Sequence, residues 1–327
     1  MTHTTNGDPR LAAPGFQSVH DAVLAEVERA ISGKTGAIRL ALACLFAGGH
    51  LLIEDVPGTG KTSLAKALAT SMGGSWRRIQ FTPDLLPGDI TGVSVWERRD
   101  EVFRFREGPV FANVVIADEI NRASPKTQSA LLEVMEEAQV TVDGVGYPVP
   151  APFLVVATQN PVDMEGTYQL PEAQLDRFLM RIELGHPDLA VETALLANRA
   201  AAQPPRLNPV TTLEQVGQLQ HAVSGVHVTP EVARYIALLA HETRIHPDLR
   251  LGVSTRGSLA LLRAAQAHAL GRGNHFVTPD DVRALCRPVL EHRLMLTAKA
   301  RVRDLSTGDV LAEVLHKVPA PTPAGQW

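Results

Sequence analysis

The chain has 327 residues and a net charge of −4, from 31 Lys and Arg against 35 Asp and Glu. Apolar residues make up 45% and charged residues 20%, which is ordinary for a globular protein and excludes a disordered or collagen-like chain. The acidic balance and the aromatic content of 5% argue against a protein that binds nucleic acid through bulk charge or base stacking.

Cysteine content and hydropathy predict the compartment. Two cysteines, Cys44 and Cys286, cannot build a disulfide framework, and each lies in an apolar, helix-like stretch. No apolar run reaches the length of a membrane span, and the N-terminus lacks the apolar core of a signal peptide. We therefore expect a cytoplasmic protein without a membrane span.

The order of apolar patterns predicts an α/β fold followed by helices. Residues 1–15 are rich in Thr, Gly, Pro and Ala and predict a flexible tail. Helical periodicity then alternates with short, continuously apolar runs, which indicate a parallel sheet covered on both faces. After Gly185 only helical patterns follow, among them helices that begin after Thr229 and Thr278. We expect an α/β domain over 16–185, an all-helical domain over 186–318 and a disordered tail over 319–327.

Two segments interrupt the plain alternation of helices and strands. Residues 82–108 carry Pro, Gly and many charges and predict an insertion. Residues 139–150, QVTVDGVGYPVP, place strand-forming residues on both sides of Asp143-Gly144, which predicts a β-hairpin. We expect both insertions to lie on the surface, where they could grip a client protein.

The segment DVPGTGKT at 55–62 carries the strongest chemical signal. An apolar strand precedes it and an Ala/Leu-rich helix follows, which is the context that a phosphate-binding loop requires. Its glycines allow a tight backbone path, its lysine would reach the β- and γ-phosphates, and the threonine hydroxyl would bind Mg²⁺. Asp55 stands where the usual motif has glycine. The predicted nucleotide-binding residues of the loop are Pro57, Gly58, Thr59, Gly60, Lys61, Thr62 and Ser63.

Two further strands end in polar residues. The segment VVIADE at 114–119 ends in Asp118, which could hold Mg²⁺, and Glu119, which could polarise a water. Four apolar residues before Asp-Glu also fit a plain strand end. Asn160 ends the run VVATQN and could orient the attacking water. By spacing alone, Asn160 could equally cap the turn before Pro161.

These stretches together resemble the MoxR group of AAA+ ATPases. The segments that carry the resemblance are HLLIEDVPGTGKT, ADEINRASPKTQSALLEVMEE, VTVDGVGYPVPAPFLVVATQNP and LPEAQLDRFLM, within about residues 31–188, and the lid-like segment GVSTRGSLALLRAA. The resemblance implies a P-loop AAA+ core with a five-stranded parallel sheet and an all-helical lid domain. In that group an acidic residue often precedes the phosphate loop, as Asp55 does here.

The resemblance also implies roles for residues outside the loop. Asn160 corresponds to the sensor that positions water, and Arg177 to the arginine finger that reaches the γ-phosphate of a neighbouring subunit. Arg256 corresponds to the second sensor, which contacts nucleotide from the lid, and Ile31 and Gly33 lie in the segment beside the adenine. Simpler interpretations stay open, because Arg177 could form an ion pair with Asp176 and Arg256 could be a solvated helix residue.

Together these features predict an ATPase that uses ATP and Mg²⁺ and remodels, assembles or matures a protein complex as a chaperone. The resemblance implies a homo-oligomer, a hexameric ring, with a von Willebrand factor A domain protein as partner. Two alternatives stay open. The chain could be a DNA-dependent motor, although its charge and composition disfavour nucleic acid. It could also be a nucleotide-gated scaffold with little turnover.

Overall fold

The computed structural model describes residues 9–56, 58–160, 167–198 and 205–321. In the first part of the chain, helices and strands follow the predicted alternation. The elements of this part are α1 (Pro9–Ala30), α2 (Thr35–Phe46), β1 (Leu51–Glu54), α3 (Lys61–Ser71), β2 (Trp76–Gln80), α4 (Pro87–Thr91), β3 (Gly92–Glu97), β4 (Val102–Glu107), β5 (Val114–Asp118), α5 (Pro125–Glu137), β6 (Gln139–Val142), β7 (Val145–Pro148), β8 (Leu154–Gln159), α6 (Glu172–Leu175) and β9 (Met180–Ile182).

Five of these strands form one parallel sheet in the order β2-β5-β8-β1-β9. All five residues of β5 are buried, and β8 is buried up to its last residue, because helices cover both faces of the sheet. The predicted fold class is confirmed. Since every strand runs in the same direction, the residues that follow β1, β5 and β8 lie at one edge of the sheet.

Both predicted insertions contain antiparallel hairpins. β3 pairs with β4 within residues 82–108, and β6 pairs with β7 around Asp143 and Gly144, whose φ values of +51° and +79° suit a tight two-residue turn. The hairpins contact each other, because the rings of Phe105 and Tyr147 stack at 4.2 Å and the Ser94 hydroxyl donates to Asp143 at 2.6 Å. The two insertions therefore form one surface feature.

The second part of the chain is mainly helical. Its elements are α7 (Leu189–Asn198), α8 (Leu213–Val223), α9 (Pro230–Ile245), β10 (Leu249–Leu251), α10 (Thr255–Gly271), α11 (Pro279–Leu290), β11 (Met295–Leu296), α12 (Ala298–Val302) and α13 (Thr307–Lys317). Thr229 and Thr278 accept hydrogen bonds from the backbones of Val232 and Asp281, as N-cap residues do. The short antiparallel pair of β10 and β11 is an addition that helical periodicity did not predict.

The proposed boundary near Gly185 follows the last strand of the sheet, but the buried core crosses it. A single cluster of buried apolar residues includes Phe46 of α2, Ile53 of β1, Leu239 of α9 and Leu261 of α10. The helical region therefore packs directly on α1 and α2, and the division into two domains stays a prediction.

The first helix begins earlier than the composition suggested. α1 starts at Pro9, so residues 9–15, which were assigned to the flexible tail, belong to a helix. Proline is favoured at the first helical position, and the Leu11-Ala12-Ala13 segment has high helix propensity, which explains the correction. Residues 1–8 and, at the other tail, residues 322–327 lie outside the described part of the chain. Among the described helices, none is long and apolar enough to cross a membrane.

A buried histidine joins the sheet to α5. His50 Nδ1 accepts a hydrogen bond from the backbone N–H of Val155 at 3.0 Å, so its Nε2 carries the hydrogen and donates to the Met135 carbonyl at 3.0 Å. Burial lowers the pKa of His50 from 6.5 to about 4. Burial also lowers the pKa values of His20 and His292. The folded protein therefore holds these imidazoles neutral.

This burial predicts a loss of stability in mild acid. Below pH 6.5 His50 is protonated in the unfolded chain, whereas in the folded protein it stays neutral until about pH 4. The free energy of unfolding therefore falls as the pH drops from 6.5 to about 4. His50 alone should make the protein about 2 kcal/mol less stable at pH 5 than at pH 7. Urea unfolding at several pH values of wild type, His50→Gln and the exposed control His275→Gln measures this. An unchanged slope in His50→Gln would contradict the expectation.

Candidate functional site

The predicted phosphate loop connects the carboxyl end of β1 to the first turn of α3. Gly58 and Gly60 have φ values of +88° and +96°, which favour glycine, and a Cβ built on either would meet nothing within 4 Å. The first backbone N–H groups of α3, which begins at Lys61, have no partners within the helix, and the helix dipole is positive there. The loop therefore has an open surface suited to an anion.

Three other predicted loop residues, Thr59, Thr62 and Ser63, lie in the loop or in the first turn of α3. Thr62 and Ser63 are in the first turn of α3, with Thr62 partly buried and Ser63 exposed. Thr59 is buried, and its hydroxyl donates to the Val56 carbonyl at 3.3 Å. Pro57, which was also predicted to bind nucleotide, lies outside the described residues.

Lys61 is directed back over the loop. Its Nζ donates to the Asp55 carbonyl at 2.6 Å. Burial lowers the pKa of the ammonium, and the nearby carboxylates of Asp55, Asp118 and Glu119 oppose part of that decrease. The lysine and these carboxylates therefore share one electrostatic environment.

Asp55 has a structural task at the position that is usually glycine. One carboxylate oxygen accepts the backbone N–H of Val56 at 2.8 Å, and the other accepts those of Leu184 and Gly185 at 2.9 and 2.6 Å. These three hydrogen bonds fasten the start of the loop to the segment that follows β9. They give a physical reason for an acidic side chain that the motif alone leaves unexplained.

The segment predicted to lie beside adenine contacts that same region. Ile31 is buried just after α1, and Gly33 has a φ of +75°. A Cβ on Gly33 would come within 2.9 Å of Val191 in α7, and Lys34 donates to the His186 carbonyl. The segment after β9 thus contacts both the phosphate loop and the residues predicted to border the base.

The carboxylate of Asp118, at the end of β5, is held from two sides. Its Oδ2 accepts from Arg78 Nε at 2.6 Å, and its Oδ1 accepts from the Thr158 hydroxyl at 3.1 Å. Arg78 is on β2 and Thr158 on β8, the two strands that flank β5. Asp118 is therefore oriented at the sheet edge next to the loop.

Glu119, the next residue, adopts an uncommon backbone conformation. Its φ of +56° places it in the left-handed region, which costs free energy for a residue other than glycine and is frequent at functional sites. Its N–H donates to the Thr158 hydroxyl at 3.0 Å, and its Oε2 accepts from Gln80 at 2.8 Å and Arg122 at 2.9 Å. Gln80 of β2 and Arg122, three residues further along the chain, thus hold this carboxylate at the sheet edge.

Asn160 follows β8 and is placed at the same edge, because β8 lies between β5 and β1. The preceding Gln159 donates to Glu54 at 2.8 Å, and Glu54 also accepts from Arg181 of β9 at 2.8 Å. The structure therefore brings the strand end that carries Asn160 beside Lys61, Asp118 and Glu119. Its role as the water-positioning sensor stays a prediction.

Arg177 and Arg256 lie elsewhere. Arg177 precedes β9, and Leu179 pairs with His50 before β1, so Arg177 is at the amino edge of the sheet, opposite its own phosphate loop. Its guanidinium donates to the Leu132 carbonyl at 2.7 Å and pairs with Glu136 Oε2 at 3.0 Å. Arg256, at the start of α10, contacts the other oxygen of Glu136 at 3.3 Å. Two arginines predicted to have separate roles therefore meet at one carboxylate.

The simple ion pair considered for Arg177 does not form with its sequence neighbour. The Asp176 carboxylate accepts from Arg293 at 2.7 Å and from the Ser254 hydroxyl at 3.0 Å. Arg256 contacts Glu136 with its side chain 45% exposed, so both the solvated helix residue and the second-sensor role stay open.

Comparisons with known proteins identify the family and the fold. Residues 50–180 match a family model described as the ATPase family associated with various cellular activities (AAA), and residues 241–314 match an AAA lid domain. An uncharacterized Bacillus subtilis protein, YeaC, is 47% identical over 90% of this chain and 92% of its own length. Chaperone MoxR1 of Mycobacterium tuberculosis is 40% identical over 90% of this chain and 81% of its own.

The chain belongs to the MoxR group of AAA+ ATPases. A solved Cytophaga hutchinsonii protein, described as a candidate ATPase, superposes on this MoxR-type chain with a TM-score of 0.89 at 35% identity. The match covers 95% of this chain and 98% of the solved one. The whole AAA+ architecture, including the helical region, is therefore shared.

Sequence reasoning missed several partners of the MoxR-type site. Arg78 and Gln80 on β2 contact Asp118 and Glu119, and Thr158 on β8 joins these two acidic residues. A threonine within an otherwise apolar strand was a usable signal. Nothing in the spacing of Glu136 or Arg293 indicated that they would contact the predicted arginines, because those contacts join distant parts of the chain.

Proposed function

We propose that the protein hydrolyses ATP with Mg²⁺ at a site shared by two neighbouring protomers. One observation carries the proposal: Lys61, Asp118 and Glu119 lie at one edge of the sheet, while Arg177 lies at the other edge with Arg256. A protomer arranged in this way has a phosphate cradle at one end and two arginines at the other. Head-to-tail association of identical chains brings such halves together and forms a ring where the rotation between protomers closes. We propose the hexameric ring implied by the resemblance.

The residues present fit a nucleotide and its metal. The open glycine faces and the first turn of α3 suit phosphate oxygens. Thr62 and Asp118 offer the hard oxygen ligands that Mg²⁺ prefers, with phosphate and water able to complete its shell. Among the described residues, no group of three or more His, Cys, Asp or Glu could hold a metal ion. When bound, Mg²⁺ would neutralise part of the negative charge on the phosphates.

Each residue of the cradle then has a chemical role. Lys61 binds the β- and γ-phosphates, and the backbone N–H groups of the loop orient them. Glu119 accepts a proton from the attacking water, and Asn160 orients that water. Gln80 and Arg122 hold the Glu119 carboxylate near the sheet edge until substrate arrives.

The arginines complete the site from the neighbouring protomer. Transfer of a phosphoryl group spreads negative charge over its oxygens, and a guanidinium placed there stabilises that charge. Arg177 and Arg256 reach Glu136 together, so we propose that both face the same neighbouring nucleotide. On this account Arg256 contacts nucleotide across the protomer boundary, together with Arg177.

The cellular role that we propose is a chaperone that remodels, assembles or matures a protein complex. It rests on the relative named as a chaperone and on the joined hairpins, which expose Trp96 and Phe103. A von Willebrand factor A domain partner and a cytoplasmic location stay predictions. Nothing in the described residues favours the DNA-dependent motor over this role.

Removing the Lys61 ammonium tests the cradle. Lys61→Ala should raise the Kd for ATP about 10–100-fold, because a charge-assisted hydrogen bond contributes about 1.5–3 kcal/mol. It should also stop hydrolysis, because the ammonium stabilises the charge that develops on the transferred phosphoryl group. Titration with a fluorescent ATP analogue measures binding, and phosphate release with and without Mg²⁺ measures hydrolysis. Lys66→Ala is the matched control, since Lys66 is on the same helix but covers the Trp76 ring at 4.5 Å. Unchanged binding by Lys61→Ala would contradict the proposed function, and binding without turnover by wild type would favour the scaffold alternative.

A further inference from the structure

A buried arginine holds the backbone that carries Arg177. The side chain of Arg293 is 3% exposed, and its Nε donates to Asp176 Oδ1 at 2.7 Å. Its guanidinium also donates to the carbonyls of Asp176, Phe178 and Leu179 at 3.3, 2.7 and 3.3 Å. One side chain from the helical region therefore makes four contacts to residues 176–179. These contacts restrict the direction in which Arg177 leaves the backbone.

The same aspartate also holds the helix that carries Arg256. Asp176 Oδ2 accepts from the Ser254 hydroxyl at 3.0 Å, and Ser254 caps α10 by accepting the backbone N–H of Gly257 at 3.0 Å. Arg256 stands two residues after Ser254, in the first turn of that helix. Asp176 thus joins the Arg177 segment to the start of α10.

The guanidinium groups of Arg177 and Arg256 meet at the carboxylate of Glu136. Arg177 and Arg256 contact opposite oxygens of its carboxylate at 3.0 and 3.3 Å. Long arginine side chains lose much of their rotamer freedom when ordered, so convergence on one small anion needs a well-placed backbone on both sides. A buried ion pair adds little net stability compared with apolar packing, and in some proteins such pairs specify one geometry.

We propose that Asp176 and Arg293 are positioning residues for the neighbouring protomer's active site. They join the segment that carries Arg177 to the helix that carries Arg256, so that both guanidinium groups reach the neighbour's nucleotide in a set geometry. This inference rests on the proposed shared site. The ion pair of Asp176 and Arg293 thus acts on the nucleotide site of the neighbouring protomer and not on the site of its own protomer.

The test uses mixed assemblies of two inactive proteins. The donor carries Lys61→Ala and can supply arginines only, whereas the acceptor carries Arg177→Ala and can supply a phosphate loop only. Adding Asp176→Asn to the donor should lower kcat of the mixture about 10–100-fold with KM for ATP unchanged, as expected for a misplaced catalytic group. Adding Asp176→Asn to the acceptor should leave the rate of the mixture as it was, because the acceptor's arginine segment faces no usable nucleotide.

Controls separate positioning from folding. Asp248→Asn in the donor breaks another ion pair of the helical region, with Arg303, and should not change kcat. Arg293→Lys in the donor keeps the charge but cannot make the four contacts, and it should reproduce the loss. Equal losses from Asp176→Asn in donor and acceptor would overturn the positioning role, as would no loss in the donor. If the starting mixture has no activity, the shared site itself is wrong and this inference is wrong with it.

Discussion

Replacing Arg177 with alanine should lower the rate of ATP hydrolysis about 10³–10⁵-fold, which is the contribution that an arginine finger makes to phosphoryl transfer. ATP affinity should change little, because Arg177 stabilises charge that develops during phosphoryl transfer and the loop that binds ATP is unaltered. Steady-state phosphate release and equilibrium binding of an ATP analogue measure the two quantities separately. Arg250→Ala is the control, since Arg250 is an exposed arginine whose ion-pair partner is Glu172 at 3.5 Å.

Mixing decides whether Arg177 acts within its own protomer or across a boundary. Arg177→Ala and Lys61→Ala proteins should each be silent, and their mixture should regain hydrolysis, because an intact loop then faces an intact arginine. Full activity of Arg177→Ala alone would remove the residue from catalysis. Two correctly folded, silent variants that assemble together and still show no activity would exclude the shared site.

Replacing Glu119 with glutamine should reduce kcat about 10²–10⁴-fold, which is the range for loss of a general base. Binding of ATP should persist, because Lys61 and the loop are unaltered. Glutamine also keeps an oxygen that can accept from Gln80 and Arg122, so the strand edge should retain its geometry. The variant therefore separates the charge of Glu119 from its structural contacts.

Phosphate release and ATP retention on a sizing column would measure this effect. Glu172→Gln is a suitable control, since Glu172 is a carboxylate in the short helix α6, away from the loop. Normal turnover by Glu119→Gln would assign the base to another residue. Retained ATP also makes this variant useful for capturing client proteins, which would test the proposed chaperone role.

Local sequence determined the elements and the phosphate-binding half of the site. Continuously apolar runs predicted strands covered on both faces, Asp143-Gly144 predicted a hairpin, and Thr229 and Thr278 predicted helix starts. These signals depend on neighbouring residues and on backbone preferences, so they can be read without knowing the fold. The parallel direction of the strands then placed Asp118, Glu119 and Asn160 at the edge next to the loop.

Only the tertiary structure decided how the remaining charges are used. Asp55 binds Leu184 and Gly185, whereas Asp176 binds Arg293, more than a hundred positions away along the chain, instead of the adjacent Arg177. Glu136 gathers Arg177 and Arg256 from separate regions. Any Asp or Glu in a sequence could form an ion pair with a given arginine. The packing of the helices on the sheet and on each other determines which carboxylate the arginine contacts.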